Sequence, residues 1–269
     1  MSPPEMETSA IVLDCRDHGE SDKIVTFLCP EAGRLSGIAK GAKRSKQRFV
    51  NKLELFSLLH LTYSLPRHGD LAFIAAAELQ CSFLNLRKHI GLYNAATVVR
   101  EFILAGTSEK ERNEKAFEIL LWALHSLDKK HPSHTVVILF LLRFFEYIGY
   151  RPDLLHCHHC GRSTATERTS EFNYMTGCLI CEGCSLHSLQ TTVPLSLGTI
   201  KLLANAQNQP LERLHRLQFS SRAQAESLNM LHHFGRQLLQ RDIHSWNALL
   251  DPEAPGPETP YRKGRNFLP

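Results

Sequence analysis

The sequence predicts an α+β chain of several parts: a small five-stranded barrel, then an α-helical bundle that carries a cysteine-rich metal knuckle. Three observations point there. Runs of β-branched and aromatic residues of strand length fill residues 1–80. Beyond Cys81 the apolar period changes from two to between three and four. Five of the 8 cysteines then fall between positions 157 and 184.

The strands come first. Residues 9–15 and 23–29 are β-branched and aromatic, separated by the polar stretch 16–22. Pro30-Glu-Ala-Gly33 forms a tight turn into a third strand over 34–39. Alternation over 53–65 predicts a long fourth strand, and Arg67-His-Gly-Asp70 turns the chain into a fifth over 71–79. Five short strands with a glycine-rich middle suit a closed barrel of the OB type better than a sandwich, which needs about seven. This assigns residues 1–80 to an OB-fold, nucleic-acid-binding unit.

The helical part follows over 81–250. Residues 84–106, 109–127 and 134–149 each carry apolar side chains at helical spacing. Ser108-x-x-Glu111 reads as a capping box, Ser133 as the cap of the third helix, and Gly149 as its end. Residues 136–142 are apolar on every side, which places that helix at the buried centre of the bundle. Helices resume over 196–206 and 222–242, the latter capped by Ser220 or Ser221. Residues 251–269 are a proline-rich tail ending in Arg262-Lys-Gly-Arg265, and such composition predicts disorder.

Composition narrows the function classes. With 43% hydrophobic and 22% charged residues the chain is ordinary globular material, and a net charge of +4 says little as a total. No run reaches the ~18 apolar residues of a membrane span; 136–145 is interrupted by Arg143. The first residues lack the basic and apolar stretches of a secretory signal. The expectation is a soluble, cytoplasmic protein with no membrane role.

Cys157-His-His-Cys160 and Cys181-Glu-Gly-Cys184 are two knuckles with the separation that tetrahedral zinc requires. Each short loop presents two thiolates, and the spacer folds back to bring the second pair. A closed four-thiolate site leaves no position for water, so Cys157, Cys160, Cys181 and Cys184 are expected to hold a structural Zn2+. Cys178 is a spare thiol at knuckle spacing, and His156, His158, His159 and His187 are near enough in sequence to replace one ligand. A disulfide fits a reducing compartment poorly. A deaminase centre fails because His156, not proline, precedes Cys157, while the only matching His18-Gly-Glu20 lies in the barrel.

Residues 33–52 contain Arg34, Lys40, Lys43, Arg44, Lys46, Arg48 and Lys52 without one acidic residue. Gly37, Gly41, Ala42 and Ser45 predict a flexible segment whose backbone can approach a phosphate. No Gly-x-x-x-x-Gly-Lys-Ser/Thr occurs, which removes nucleotide hydrolysis. A charge run is ordinarily a solvated loop, but one between strands of an OB-type barrel favours single-strand binding. Phe49 offers a stacking surface, though the strand expected after it favours core. Nothing in the run reads base edges, so binding should be sequence-independent and salt-sensitive.

Weaker candidates read as structure. Phe140, Phe144 and Phe145 beside Arg143 suit core packing better than a groove for an acidic, apolar peptide end. His125, His131, His232 and His233 read as helix-surface residues. No Gly-x-Ser-x-Gly elbow appears, so no enzyme is expected.

Gly33-Arg-Leu, Ala39-Lys-Gly-Ala-Lys-Arg-Ser-Lys46, Phe49, Leu53 and Phe56 together resemble the N-terminal barrel of the bacterial RecO family of DNA repair and recombination proteins. Gly149-Tyr-Arg-Pro152, Cys157-x-x-Cys160-Gly161 and Cys181-x-x-Cys184 resemble the zinc knuckle many members carry. One departure is Gly177-Cys178, where the family tends to have Gly-Gly. The resemblance implies a non-enzymatic, nucleoid-associated mediator that binds single- and double-stranded DNA and anneals complementary strands. It further implies contact with the C-terminal tail of the single-stranded-DNA-binding protein and, with RecR, loading of RecA onto coated strands. The DNA role then falls on Arg34, Lys40, Lys43, Arg44, Lys46 and Arg48. The competing reading is a zinc-stabilised protein-interaction scaffold without direct DNA binding.

Overall fold

The computed structural model describes residues 4–109, 111–164, 167–185 and 191–251. The tail expected to be disordered lies, after Asp251, outside the described residues, as does His187. Among the described residues no helix is long and apolar enough to cross a membrane.

Five strands close the barrel: β1 Met6–His18, β2 Asp22–Cys29, β3 Gly33–Ala39, β4 Leu58–Ser64 and β5 Ala72–Cys81, in the order β1-β2-β3-β5-β4. β1 is long enough to serve two neighbours. Its first half pairs with β4 and its second with β2, and a register shift between Val12 and Asp14 bends it from one to the other. β3 and β5 meet in parallel through Gly37–Ala72 and Ile38–Phe73, which closes the ring. Ala10 and Val12 point into the barrel core, whereas Ile11 and Leu13 join the core of the helices. The unbroken apolar run of β1 is therefore a strand buried on both faces.

The fourth strand is shorter than its alternation predicts. Residues 53–57 form turns, with Phe56 at φ 68, and the strand begins at Leu58. Leu53 and Phe56 are apolar because they plug different cores: Leu53 packs in the barrel interior and Phe56 faces the helices. Phe56 N–H donates to the Val12 carbonyl and Val12 N–H to the Ser57 carbonyl, which pins the turn to β1.

The helices are α1 Leu84–Lys88, α2 Ile90–Gly106, α3 Glu114–Asp128 and α4 Ser133–Tyr147. The single helix expected over 84–106 is two, broken at His89 in extended conformation. The capping box at Ser108 does not form. Glu109 instead bridges to Gly33 and Arg34, Asn113 N–H donates to the Pro30 carbonyl, and α3 starts only after Asn113. Gly33 is required here: at φ +65 it would place a Cβ 1.8 Å from the Glu111 carbonyl oxygen. Ser133 opens α4 without capping it, since Pro132 occupies the cap position. Gly149 ends α4 at φ +86 as expected. α4 is the centre of the bundle, with every residue from Thr135 to Leu142 buried and Phe144 and Phe145 fully so.

The cysteine-rich region contains a sheet that periodicity did not reveal: β6 Asp153–Cys157, β7 Thr169–Asn173, β8 Cys178–Ile180 and β9 Thr192–Ser196, ordered β6-β8-β7-β9, with α5 Glu182–Ser185 after β8. α6 Leu197–Asn208, a 3-10 helix Leu211–Arg216, α7 Ser221–Leu239 and α8 Trp246–Leu250 complete the chain. The Ser220 side chain caps α7 by accepting from Ala223 N–H. Edge-to-face rings run from Phe102 through Phe145 and Phe234 to Phe172, fastening the sheet to the bundle. Glu226 on α7 holds the start of α6 by accepting from Ser196 N–H and from the Ser196 and Thr199 hydroxyls. Burial alone would raise this carboxyl, but those donors and Arg222 hold it down at about 2. His232 is not the plain surface residue expected: it lies parallel to Trp246 at 4.4 Å, and burial pushes its pKa down to about 4.

Candidate nucleic-acid interface and metal centre

The basic residues lie mainly on the connection between β3 and β4, residues 40–57, which lies across one end of the barrel. This connection is ordered by its own apolar side chains, contrary to the flexibility that its small residues suggested. Ala42, Phe49 and Leu53 are buried in the barrel core. Gly41 N–H donates to the Asp22 carboxylate at 2.8 Å, Lys43 N–H to the Ser21 carbonyl, and Phe49 N–H to Ser45 Oγ. The Gly41 and Ser21 donors lower the pKa of Asp22. Gly37 belongs not to the loop but to β3, where the Ile74 side chain occupies the space a Cβ would take.

Packing turns the charged side chains outward. Lys40, Lys43, Arg44, Lys46 and Arg48 are all exposed. Lys43 pairs with Asp17 at 3.0 Å and Arg44 with Glu20 at 3.6 Å, both acids on the β1–β2 hairpin. Such exposed pairs are worth ~0–1 kcal/mol, so a phosphate can compete for either cation. Arg48 spans two carbonyls, with Nη2 donating to Lys40 at 3.2 Å and Nη1 to Ala75 at 3.5 Å, and lies 5.0 Å from the Phe49 ring. Arg34 is placed apart, at the opposite end of β3. Its Nη1 donates to the Leu104 carbonyl at 2.7 Å and its Nε lies 3.8 Å from Glu109, so it ties barrel to helices.

Phe49 is core, 3% exposed, and offers no face to a base. The aromatic that the barrel does expose is Phe73, and it was missed. The signal was present: Ala72 and Ile74 point inward, so strand alternation sends Phe73 out. Phe140, Phe144 and Phe145 are fully buried, and Arg143 donates to the Ala206 and Gln207 carbonyls at the end of α6. No groove remains there.

The second site is the cysteine cluster. The sulfurs of Cys157, Cys160, Cys181 and Cys184 all lie within 4.8 Å of one another, with Cys160 and Cys181 at 3.6 Å. β6 delivers Cys157, the turn after it Cys160, the end of β8 Cys181 and α5 Cys184. Cys181 N–H donates to Cys157 Sγ at 3.4 Å. Burial would raise the Cys157 thiol, but the Cys160, Cys181 and His159 N–H groups hold it down at about 6. Tetrahedral bonds of ~2.3 Å would set sulfurs ~3.8 Å apart, so the four thiols fit a metal ion. Cys178 stands aside, its thiol directed at the Thr176 carbonyl.

The family description "Recombination protein O N terminal" matches residues 1–83, and "Recombination protein O C terminal" matches residues 87–247. The chain is 35% identical to the DNA repair protein RecO of Syntrophobacter fumaroxidans over 79% of its length and 84% of the relative. It is 32% identical to that of Roseiflexus sp., over 91% of this chain and 84% of the relative. It is 31% identical to that of Desulfatibacillum aliphaticivorans, over 92% and 97%. A closed barrel under a basic loop, a helical bundle, a four-cysteine cluster and these matches along nearly the whole chain lead to one assignment: it belongs to the RecO family of DNA repair proteins.

Proposed function

We propose that this chain is a non-enzymatic recombination mediator that binds single- and double-stranded DNA through the basic loop of its barrel and anneals complementary strands. The observation that carries the reading is the outward display of Lys40, Lys43, Arg44, Lys46 and Arg48 from a loop whose apolar side chains are packed away. Joining two phosphate backbones is opposed by Coulomb repulsion, which a cluster of cations offsets. Contacts to phosphate leave base edges free to pair. Arg34 lies some six residues along β3 from Lys40, roughly 20 Å at ~3.3 Å per residue. It acts in this proposal as a clamp between barrel and helices, not as a phosphate contact.

Cys157, Cys160, Cys181 and Cys184 would hold a structural Zn2+, whose chemistry is to join β6, β8 and α5 by four bonds. Membership of the family supports the remaining partners: RecR, the acidic C-terminal tail of the single-stranded-DNA-binding protein, and RecA loading onto coated strands. A cytoplasmic, nucleoid-associated location accords with that work.

Fluorescence anisotropy with a labelled single strand of arbitrary sequence, over a salt series, tests the DNA reading. Log affinity should fall linearly with log salt. The Lys43→Ala, Arg44→Ala, Lys46→Ala variant should flatten the slope by about 2 units, at ~0.7 per phosphate contact. An unchanged slope takes the loop out of the DNA site. No wild-type binding at low salt leaves the protein-interaction scaffold as the better account.

A further inference from the structure

We propose that Phe73 is a stacking platform for a base of the single strand that the basic loop holds. The proposal rests on the DNA-binding reading above and adds to it the residue that tells a single strand from a duplex.

Phe73 is 38% exposed on the outer face of β5, between the inward-pointing Ala72 and Ile74. Its register partners are Ile38 on β3 and Ser64 on β4, so its ring stands on paired sheet rather than on a loose turn. Just beyond it the β4–β5 register shifts: Tyr63 faces Ile74 while Thr62 faces Ala76. Ala75 is thus the bulged residue, and its carbonyl accepts from Arg48. The bulge thereby seats a guanidinium two residues from the ring, about 7 Å along the strand. The other arm of the same guanidinium donates to the Lys40 carbonyl, so Arg48 is held between the start of the loop and the bulge.

Exposed aromatics occur singly on many protein surfaces. This one has flanking leucines, Leu71 at 37% and Leu65 at 47% exposure, on the turn side, and the Arg48 guanidinium held on the other. An apolar ring with the Arg48 guanidinium two residues along the strand complements a nucleotide, which offers a flat π-face and a phosphate within one residue of each other. Stacking uses the face of the base and leaves its pairing edge open, which annealing needs. A duplex has its faces stacked internally and cannot use the ring.

The test measures the full-length protein with a labelled strand of thymidines, the same strand carrying abasic sites, and a duplex. Phe73→Ala should weaken thymidine-strand binding by about 5- to 100-fold with the salt slope unchanged. Phe73→Leu, which keeps apolar bulk without a ring, should behave as Phe73→Ala. Phe73→Trp should restore affinity, and its added fluorescence should be quenched by the thymidine strand. Abasic strand and duplex should bind wild type and Phe73→Ala alike. Equal thymidine-strand affinity of wild type and Phe73→Ala would overturn the stacking role and leave the patch to a protein partner. Equal losses of abasic and thymidine strands in the variant would also overturn it, by showing an effect through the fold. Failure of the wild type to bind any strand at low salt would instead sink the DNA reading itself.

Discussion

The loop at 40–57 and the cysteine region that starts at β6 are both irregular excursions from regular structure, yet opposite physics holds them. The loop carries its own anchors: Phe49 and Leu53 are buried in the barrel, and Asp22 and Ser21 of the neighbouring hairpin receive its backbone donors. Its charges are spare, pointing to solvent and held by surface pairs. The cysteine region has strands of only three to five residues, and α5 buries nothing. Its inner face packs on the bundle through Phe172, Leu179 and Leu195, but its far end converges on Cys157, Cys160, Cys181 and Cys184, four thiols placed to hold an ion. Hence stripping the loop of charge should leave it folded, whereas the thiol-bearing ends of β6, β8 and α5 should depend on an ion held by the four cysteines.

That contrast can be broken in four places, from the largest effect down. Removing the metal with a strong chelator, or Cys181→Ser, should release the local structure around β6, β8 and α5. The apparent binding energy of such sites is ~10–16 kcal/mol. Hydrogen exchange should rise there and leave β1–β5 protected; equal loss in the barrel would erase the distinction. Next, Phe49→Ala should destabilise the barrel by about 3–5 kcal/mol through the cavity it leaves, read as a fall in denaturation midpoint. A loss under 1 kcal/mol would mean the loop is not held by that ring.

Glu226→Gln comes third, at about 1.5–3 kcal/mol, the value of hydrogen bonds to a charged group. The folded pKa of about 2 lies below the ordinary glutamate value of 4.5. The stabilisation is therefore full above pH 4.5 and disappears as pH falls towards 2. Thermal midpoints against pH should show wild type and variant converging across that window, and a constant gap would contradict the assignment. Smallest is the triple alanine variant at Lys43, Arg44 and Lys46, whose stability should change by no more than about 1 kcal/mol per pair removed while its salt slope flattens.

Much of the fold was legible because one physical pattern dominated each segment. β1 and β2 carry β-branched runs bounded by turn residues, and α4 is apolar all round because it is buried all round. Where two demands met in one segment, periodicity misled. Leu53 and Leu55 alternate like a strand, yet with Phe56 they plug two cores from a turn. Ser108 and Glu111 spell a cap, but Glu109 is taken by β3. The break at His89 has no proline to announce it, and the nearby Gly91 lies inside the first turn of α2 rather than at the break. The small sheet stayed hidden because its strands are too short to carry a period. At the candidate sites, spacing favoured the four cysteines but left Cys178 as a spare that only the fold sets aside, whereas the burial of Phe49 and the exposure of Phe73 depended on packing and strand parity that the run of charges did not show.

The two-faced burial of β1 also bears on how the molecule assembles. Residues 10–13 alternate between two interiors, so a slip of one position would send Ile11 and Leu13 into the barrel and Ala10 and Val12 against the helices. Neither interior can then be filled correctly unless the other is. Barrel closure and docking of the bundle are in this sense a single decision of the chain, and β1 is the strand that makes it.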